Sequence, residues 1–333
     1  MNERIRLSGA LCAMLLSAAS AQTVETQSLS PVVVTATRSE RSALDVPASV
    51  DVIERDSIRD AQLRVNLSES LGQVPGIVVL NRQNYAQDLQ ISIRGFGSRS
   101  TFGVRGVRLY VDGVPASFPD GQGQVSHFPL NAAERIEVLR GPFSALYGNS
   151  SGGVIALTTN LRPQPQQFEP AAAFGSHGTW RVGLSGAGGE APYAFLVDAG
   201  RFRTEGARDH SAARRDSLTI RTAFLESPLG AARISLNALD MPDAQDPLGM
   251  SRADLEQRGW TGVAQAALDF DTRKTSRQTT LGASVETPIG DRFLVTTSAW
   301  VGTRSVMQYQ AIPTGAQIPA SSPGGVIDFD RTF

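Results

Sequence analysis

Cysteine is almost missing from this sequence: Cys12 is the single one among 333 residues. It lies in an apolar N-terminal run that reads as an export signal, so the mature chain would hold no disulfide and no thiolate metal site. Leu11 is also too bulky for the small residue expected before a lipid-anchored cysteine. Histidine is scarce too. His127, His177 and His210 are scattered without metal-ligand spacing, and neither a metal nor a cofactor is expected. Neither sign of charge prevails, with 31 Lys and Arg against 32 Asp and Glu and a formal net charge of −1. A basic stripe is absent, which excludes the electrostatic footprint of a nucleic-acid-binding protein. No stretch of eighteen apolar residues occurs, which excludes a membrane-spanning helix. The membrane itself is not excluded, because barrel strands alternate apolar and polar residues and their hydropathy averages out. Catalytic constellations are lacking as well. Gly95-Phe96-Gly97 follows a strand pattern but has neither the helix start nor the distant acid of a dinucleotide site. Ser150-Ser151-Gly152-Gly153 reads as a flexible turn. Enzymatic activity is not expected.

What is present begins with export. Arg4 and Arg6 precede the short apolar run Leu7 to Ala18, and Ala19-Ser20-Ala21 supplies small residues for cleavage. This pattern predicts a signal peptide over 1–21. A polar stretch follows, then "PVVVTATRS" at 31–39, a β-branched run opened by Pro and closed by charge. It reads as a strand without a local partner. Two readings stay open from the residues alone: an edge strand of the next domain, or a segment that adds itself to another protein's sheet edge.

Residues 45–160 read as an α+β domain. A strand at 49–53 leads into a helix opened by an acidic residue. "NLSESLGQV" forms a short amphipathic helix with Leu67, Leu71 and Val74 on one face, stopped by Pro75-Gly76. Strands are expected near 77–80, 89–97, 107–115, 135–142 and 154–159, with a tight turn at Asp112-Gly113. After Phe168 the pattern changes to alternating strands with no helices, about seven of them, near 168–175, 179–188, 193–203, 216–226, 231–240, 276–286 and 291–310. Leu218, Ile220, Thr222 and Phe224 take one face while Thr219, Arg221 and Ala223 take the other. Ile234, Leu236 and Ala238 likewise oppose Arg233, Ser235 and Asn237. An apolar outer face over a polar inner face, with short turns alternating with longer loops, suits a transmembrane barrel.

These motifs in order carry a resemblance. "VVVTATR" resembles a TonB box, and "LSESLGQVPGIVV", "ISIRGFGSR", "VRLYVDGVP" and "IEVLRGPFSALYGNSSGGVI" resemble the plug domain of TonB-dependent outer-membrane receptors. "NRQNYAQDLQISIRGFGSRSTFGVRGVRLYVDGVP", followed by "PDGQGQ" and "DTRKTSRQT", is similar to the subgroup that includes the enterobacterial pyrroloquinoline quinone receptor. The resemblance implies an α+β plug followed by transmembrane antiparallel β-barrel strands, incomplete in this chain, in the bacterial outer membrane. It implies a periplasmic segment over 22–44 and the first part of a 22-stranded-type barrel over 168–333. Closure would take about three times as much barrel sequence, so a partial receptor or a truncated, nonfunctional fragment is expected.

The resemblance also assigns roles. Val32, Val33, Val34, Thr35, Ala36 and Thr37 would pair with TonB. Arg94 and Arg140 would latch the plug onto acidic residues of the barrel wall. Outward plug loops would bring Arg82, Tyr85, Arg99, Phe102, Arg105 and Phe118 to a small-molecule ligand, with outer-membrane lipid around the barrel. Guanidinium groups interleaved with rings suit a planar, polycarboxylated quinone, and an anionic ferric siderophore is the alternative.

Overall fold

The computed structural model describes residues 33–34, 41–42, 46, 48–81, 84–100, 103–141, 144–148, 150–312 and 325–333. The signal peptide, Val32, Thr35, Ala36, Thr37, Arg82 and Phe102 lie outside these residues. Strand β1 (Val33–Val34) pairs antiparallel with β2 (Arg41–Ser42), Val33 opposite Ser42. The expectation of a run with no local partner is corrected at Val33 and Val34. Their backbone groups find a second extended segment close by in the chain, and pairing satisfies both.

The plug contains β3 (Ser49–Glu54), α1 (Arg55–Arg59), α2 (Ser68–Leu71), β4 (Ile77–Leu80), β5 (Gln90–Ile93), β6 (Val107–Val111), β7 (Val114–Pro115), β8 (Ala133–Arg140), α3 (Ser144–Tyr147) and β9 (Gly153–Thr159). Five strands form one mixed sheet in the order β3-β8-β9-β6-β7, and only the β6–β9 pair is parallel. Strands β4 and β5 make a separate pair. The period of two decides what the sheet buries. Ile136, Val138, Ile155, Leu157, Val107 and Leu109 face the main core, where Ile58, Leu67 and Leu71 of the helices meet them. Leu139 and Val154 point the other way and pack with Tyr147. Each such fully buried side chain contributes about 1.5–3 kcal/mol.

Local chemistry sets the turns. Asp112 and Gly113 both have positive φ, +47° and +79°, as a two-residue type I′ hairpin turn requires. The Glu69 carboxylate accepts the backbone N–H groups of Arg64, Val65 and Asn66 at 2.6, 3.0 and 2.7 Å, which fixes the entry to α2. Gly97 stands at φ +90° where an added Cβ would lie 2.7 Å from the Ile91 carbonyl oxygen, so glycine is required.

Eight strands follow in sequential antiparallel order: β10 (Gln164–Phe174), β11 (Trp180–Gly189), β12 (Tyr193–Thr204), β13 (Ala213–Ser227), β14 (Gly230–Gln245), β15 (Arg273–Ile289), β16 (Phe293–Tyr309) and β17 (Val326–Thr332). The sequence count of about seven misses β17, whose seven residues are too short and acidic to give a barrel-length signal. The expectation of no helices also fails. The loop between β14 and β15 carries α4 (Arg252–Arg258), opened by a Ser251–Asp254 capping box, and α5 (Gln265–Asp269). Segments 190–192, 228–229 and 290–292 are short turns at one end of the wall, and the longer loops lie at the other. Inward-facing Arg181, Asp198, Thr219, Arg221, Ser235, Lys274 and Gln278 are buried, whereas Leu184, Val197, Ile234, Leu281 and Val301 are exposed. Tyr193 and Phe224 stack at 4.8 Å beside the short-turn end, as in the aromatic girdle of a barrel. Among the described residues β10 and β17 are the unpaired edges, and the wall is not closed.

Candidate functional site

The plug and the wall meet through charge. Arg55 on the plug pairs with Glu169 on β10 at 2.7 Å, and Arg59 pairs with the same carboxylate. Asn131 donates to Asp198 on β12. Two other contacts reverse the polarity, with the acid on the plug and the cation on the wall. Arg221 of β13 lies 2.8 Å from Asp112, and Lys274 of β15 lies 2.6 Å from Asp88.

The two arginines expected to latch the plug are placed otherwise among the described residues. Arg140 makes no ion pair with the wall strands there. It pairs with Asp51 at 2.6 Å and donates to the Pro75 carbonyl, because Asp51 sits diagonally across the β3–β8 ladder. Arg94 is exposed at φ +51° and makes no ion pair among the described residues.

A cavity of about 290 Å³ opens on the long-loop side of the plug. Asp88, Arg105, Gln122 and Gln124 line it from the plug, and Lys274, Arg304, Phe329 and Arg331 from the wall. Asp88 holds its floor together. Its carboxylate accepts the Gly103 backbone N–H at 3.1 Å, the Gln124 amide at 3.2 Å and the Lys274 ammonium at 2.6 Å. Burial opposes ionisation of Asp88, but the Lys274 charge and its hydrogen bond, with Arg304 nearby, hold the carboxyl below its usual range. Arg105 is exposed and reaches Asp120 at 3.5 Å, while Arg331 donates to the same carboxylate at 2.9 Å.

The other expected ligand residues are placed differently. Phe118 is buried, with its ring 4.8 Å edge-on from Phe333 and the Arg331 guanidinium 5.4 Å away. Tyr85 packs on Phe202 at 4.9 Å, inside a cluster with Ala213, Met241 and Ala244. Burial, followed by the charge of Glu69, pushes its phenol up to about 12. Both rings serve packing between plug and wall. Arg99 is exposed away from this lining. Of the expected set, the structure brings Arg105 to the cavity. Sequence reasoning missed Asp88, Lys274, Arg304 and Arg331. One signal was available: Lys274 is the only lysine of the sequence.

Comparison with known proteins agrees with this geometry. Residues 42–154 match the family described as TonB-dependent Receptor Plug Domain. A vitamin B12 transporter BtuB of Photobacterium profundum is 35% identical over 182 residues, covering 54% of this chain and 28% of that protein. A hemin receptor of Yersinia pestis is 35% identical over 156 residues, covering 44% of this chain and 22% of its own length. This chain thus spans about a quarter of the curated relatives it matches. Among solved structures, the ferric citrate transporter FecA in its unliganded form aligns with TM-score 0.66 at 20% identity, over 84% of this chain and 43% of that one. The siderophore receptor PiuA from Acinetobacter baumannii aligns with TM-score 0.62 at 20% identity, over 81% and 38%. Residues 42–154 thus match the plug domain of TonB-dependent receptors, and they pack against eight antiparallel strands in the fold that the solved receptor structures share.

Proposed function

We propose that this chain supplies the plug and part of the wall of a transporter that imports a scarce ligand across the outer membrane, driven through TonB, and that the ligand is pyrroloquinoline quinone or a similar anionic planar compound. The cavity lining carries the reading: Arg105, Lys274, Arg304 and Arg331 converge on it with Phe329 among them. Guanidinium groups pair with carboxylates in bidentate fashion and stack on planar rings. A ferric siderophore is the second reading, supported by the same cations and by an iron-regulated outer membrane virulence protein of Vibrio cholerae that is 36% identical over 173 residues. The segment from Val32 to Thr37 would join the sheet edge of TonB, exchanging the local pairing of Val33 and Val34 for one in trans. The apolar outer faces of the strands meet lipid.

Two measurements on the full-length receptor test this. Deleting Val32 to Thr37 is expected to abolish uptake while leaving ligand binding intact. Uptake that survives the deletion would sink the TonB coupling. Labelled pyrroloquinoline quinone and a labelled ferric siderophore, offered separately to cells, decide between the two ligands.

A further inference from the structure

We infer that Lys274 and Arg304 form an anion anchor in the ligand cavity, and that the Asp88 carboxylate is the internal counter-ion a ligand displaces; this rests on the ligand reading proposed above. Arg304 is 2% exposed and Lys274 is 5% exposed. Arg304 donates through Nη1 to the neutral Gln278 side chain at 2.6 Å, and its shielded Nε has no partner among the described residues. No carboxylate of the described residues lies within ion-pair distance of it. Two buried cations therefore share one carboxylate, Asp88. A buried cation short of counter-charge is unfavourable, and a second anion relieves it. The other charged pairs at the cavity, Arg331 and Arg105 with Asp120, have side chains 38%, 51% and 41% exposed, so exchange there is screened by water and contributes little.

Displacement of Asp88 has a structural consequence. Its carboxylate joins Gly103 and Gln124, in two separate plug loops, to its own loop and to the wall through Lys274. A ligand carboxylate that pairs with Lys274 and Arg304 removes the strongest of those bonds. All three loops then lose their common tie to the wall, so anion occupancy is converted into loosening of the plug floor. Asp88 is a positioning residue in this scheme, and Lys274 and Arg304 are the ligand contacts.

The test uses the full-length receptor as wild type, Arg304→Gln and Asp88→Asn, each confirmed as a folded barrel by heat-modifiable mobility. The probes are pyrroloquinoline quinone, its trimethyl ester and citrate. Affinity and hydrogen exchange at the Gly103 amide are measured. Wild type is expected to bind the free acid but not the ester, and to lose Gly103 protection on binding. Arg304→Gln should weaken binding by about tenfold to a hundredfold, the usual range for a hydrogen bond to a charged group. Asp88→Asn should tighten it several-fold and abolish the ligand effect on Gly103, a gain that a merely structural role does not give. Normal binding of the acid with both variants unchanged overturns the inference and leaves the ligand reading standing. Citrate binding that Arg304→Gln removes, without quinone binding, keeps the anchor and sinks the quinone. Absence of binding by either probe overturns both. Should Arg304→Gln not assemble, Asp88→Asn decides alone, and unchanged or weaker affinity counts against the inference.

Discussion

Nε of Arg221, on the wall, stands 2.8 Å from Oδ2 of Asp112, in the tight turn of the plug. The same carboxylate accepts the Thr159 backbone N–H at 2.7 Å and the Thr159 hydroxyl at 3.0 Å. One residue thus closes the β6–β7 hairpin, secures the end of β9 and fastens the plug to β13. Asparagine would satisfy the positive φ of the turn equally well. Only aspartate adds the charge that Arg221 meets.

Arg221→Ala should loosen the plug sharply. Arg221 is 2% exposed, and removing one partner of a buried ion pair costs about 3–5 kcal/mol because the other charge is left without compensation. Asp112→Asn combined with Arg221→Gln should recover part of that loss. Hydrogen exchange at the Thr159 amide in the assembled receptor reads the effect, and equal protection in wild type and Arg221→Ala would show that the pair is not a latch.

Plug stability should fall in acid through two overlapping windows, the first opening well above the second. His127 is partly buried, with its Nδ1 shielded and unpartnered, and burial followed by the charges of Arg304, Arg215 and Arg221 pushes its pKa down to about 3. The unfolded chain takes the proton first, near pH 6.5, so stability is complete above about 6.5 and declines toward about 3. Asp88 has a depressed folded value, so its contribution is present above its unfolded pKa of about 3.9 and is lost as pH falls through the folded value. His127→Phe should flatten the upper window and leave the lower one. Denaturant midpoints of the receptor measured from about pH 7.5 down to about 2.5, a range that covers the His127 window and reaches into that of Asp88, check this; an unaltered slope in the variant contradicts it.

The long loop between β14 and β15 is expected to be coupled to the plug through Asp246. This buried carboxylate accepts the Asn84 amide at 2.6 Å, the Gln87 amide and the Leu248 backbone N–H at 3.0 Å. Asp246→Ala leaves those donors unsatisfied, at about 1–3 kcal/mol each where they stay buried. Exchange should quicken at 84–88 and at 246–248 together. Acceleration on one side alone would mean that the two segments open independently.

Gly103→Ala should destabilise the plug loops more than an ordinary surface change. Gly103 has φ +66°, and an added Cβ would lie 2.5 Å from the Gly123 carbonyl oxygen. The Val104–Gly123 bridge would have to shift, and the Gly103 N–H would move off Asp88. A loss of about 1–3 kcal/mol is expected for strain at such a position. A thermal midpoint equal to wild type would show that the loop yields freely.

The elements were largely legible before the structure. Ile77–Leu80 agrees residue for residue with the sequence reading, and Leu67, Leu71 and Val74 are buried on one face as their spacing implies. The ends of strands were less so: β14 runs on to Gln245 and β15 starts at Arg273, because a register shift between Met241 and Ala244 lets pairing continue where alternation breaks. The lining of the cavity was the least legible. Phe118 and Tyr85 carry rings suited to stacking, yet both are taken up by contacts between plug and wall.

The sequence by itself determined the order of plug and wall, the alternating faces of the strands and the Asp112-Gly113 turn. Periodicity and turn geometry are properties of a few neighbouring residues, so they can be read without knowing the rest. Only the tertiary structure decided which charges meet. Asp88 and Lys274 are 186 positions apart, and Arg140 turns to Asp51 within its own sheet. Residue type gives a charged side chain its reach, but its partner is set by how plug and wall are held together, and no local pattern records that.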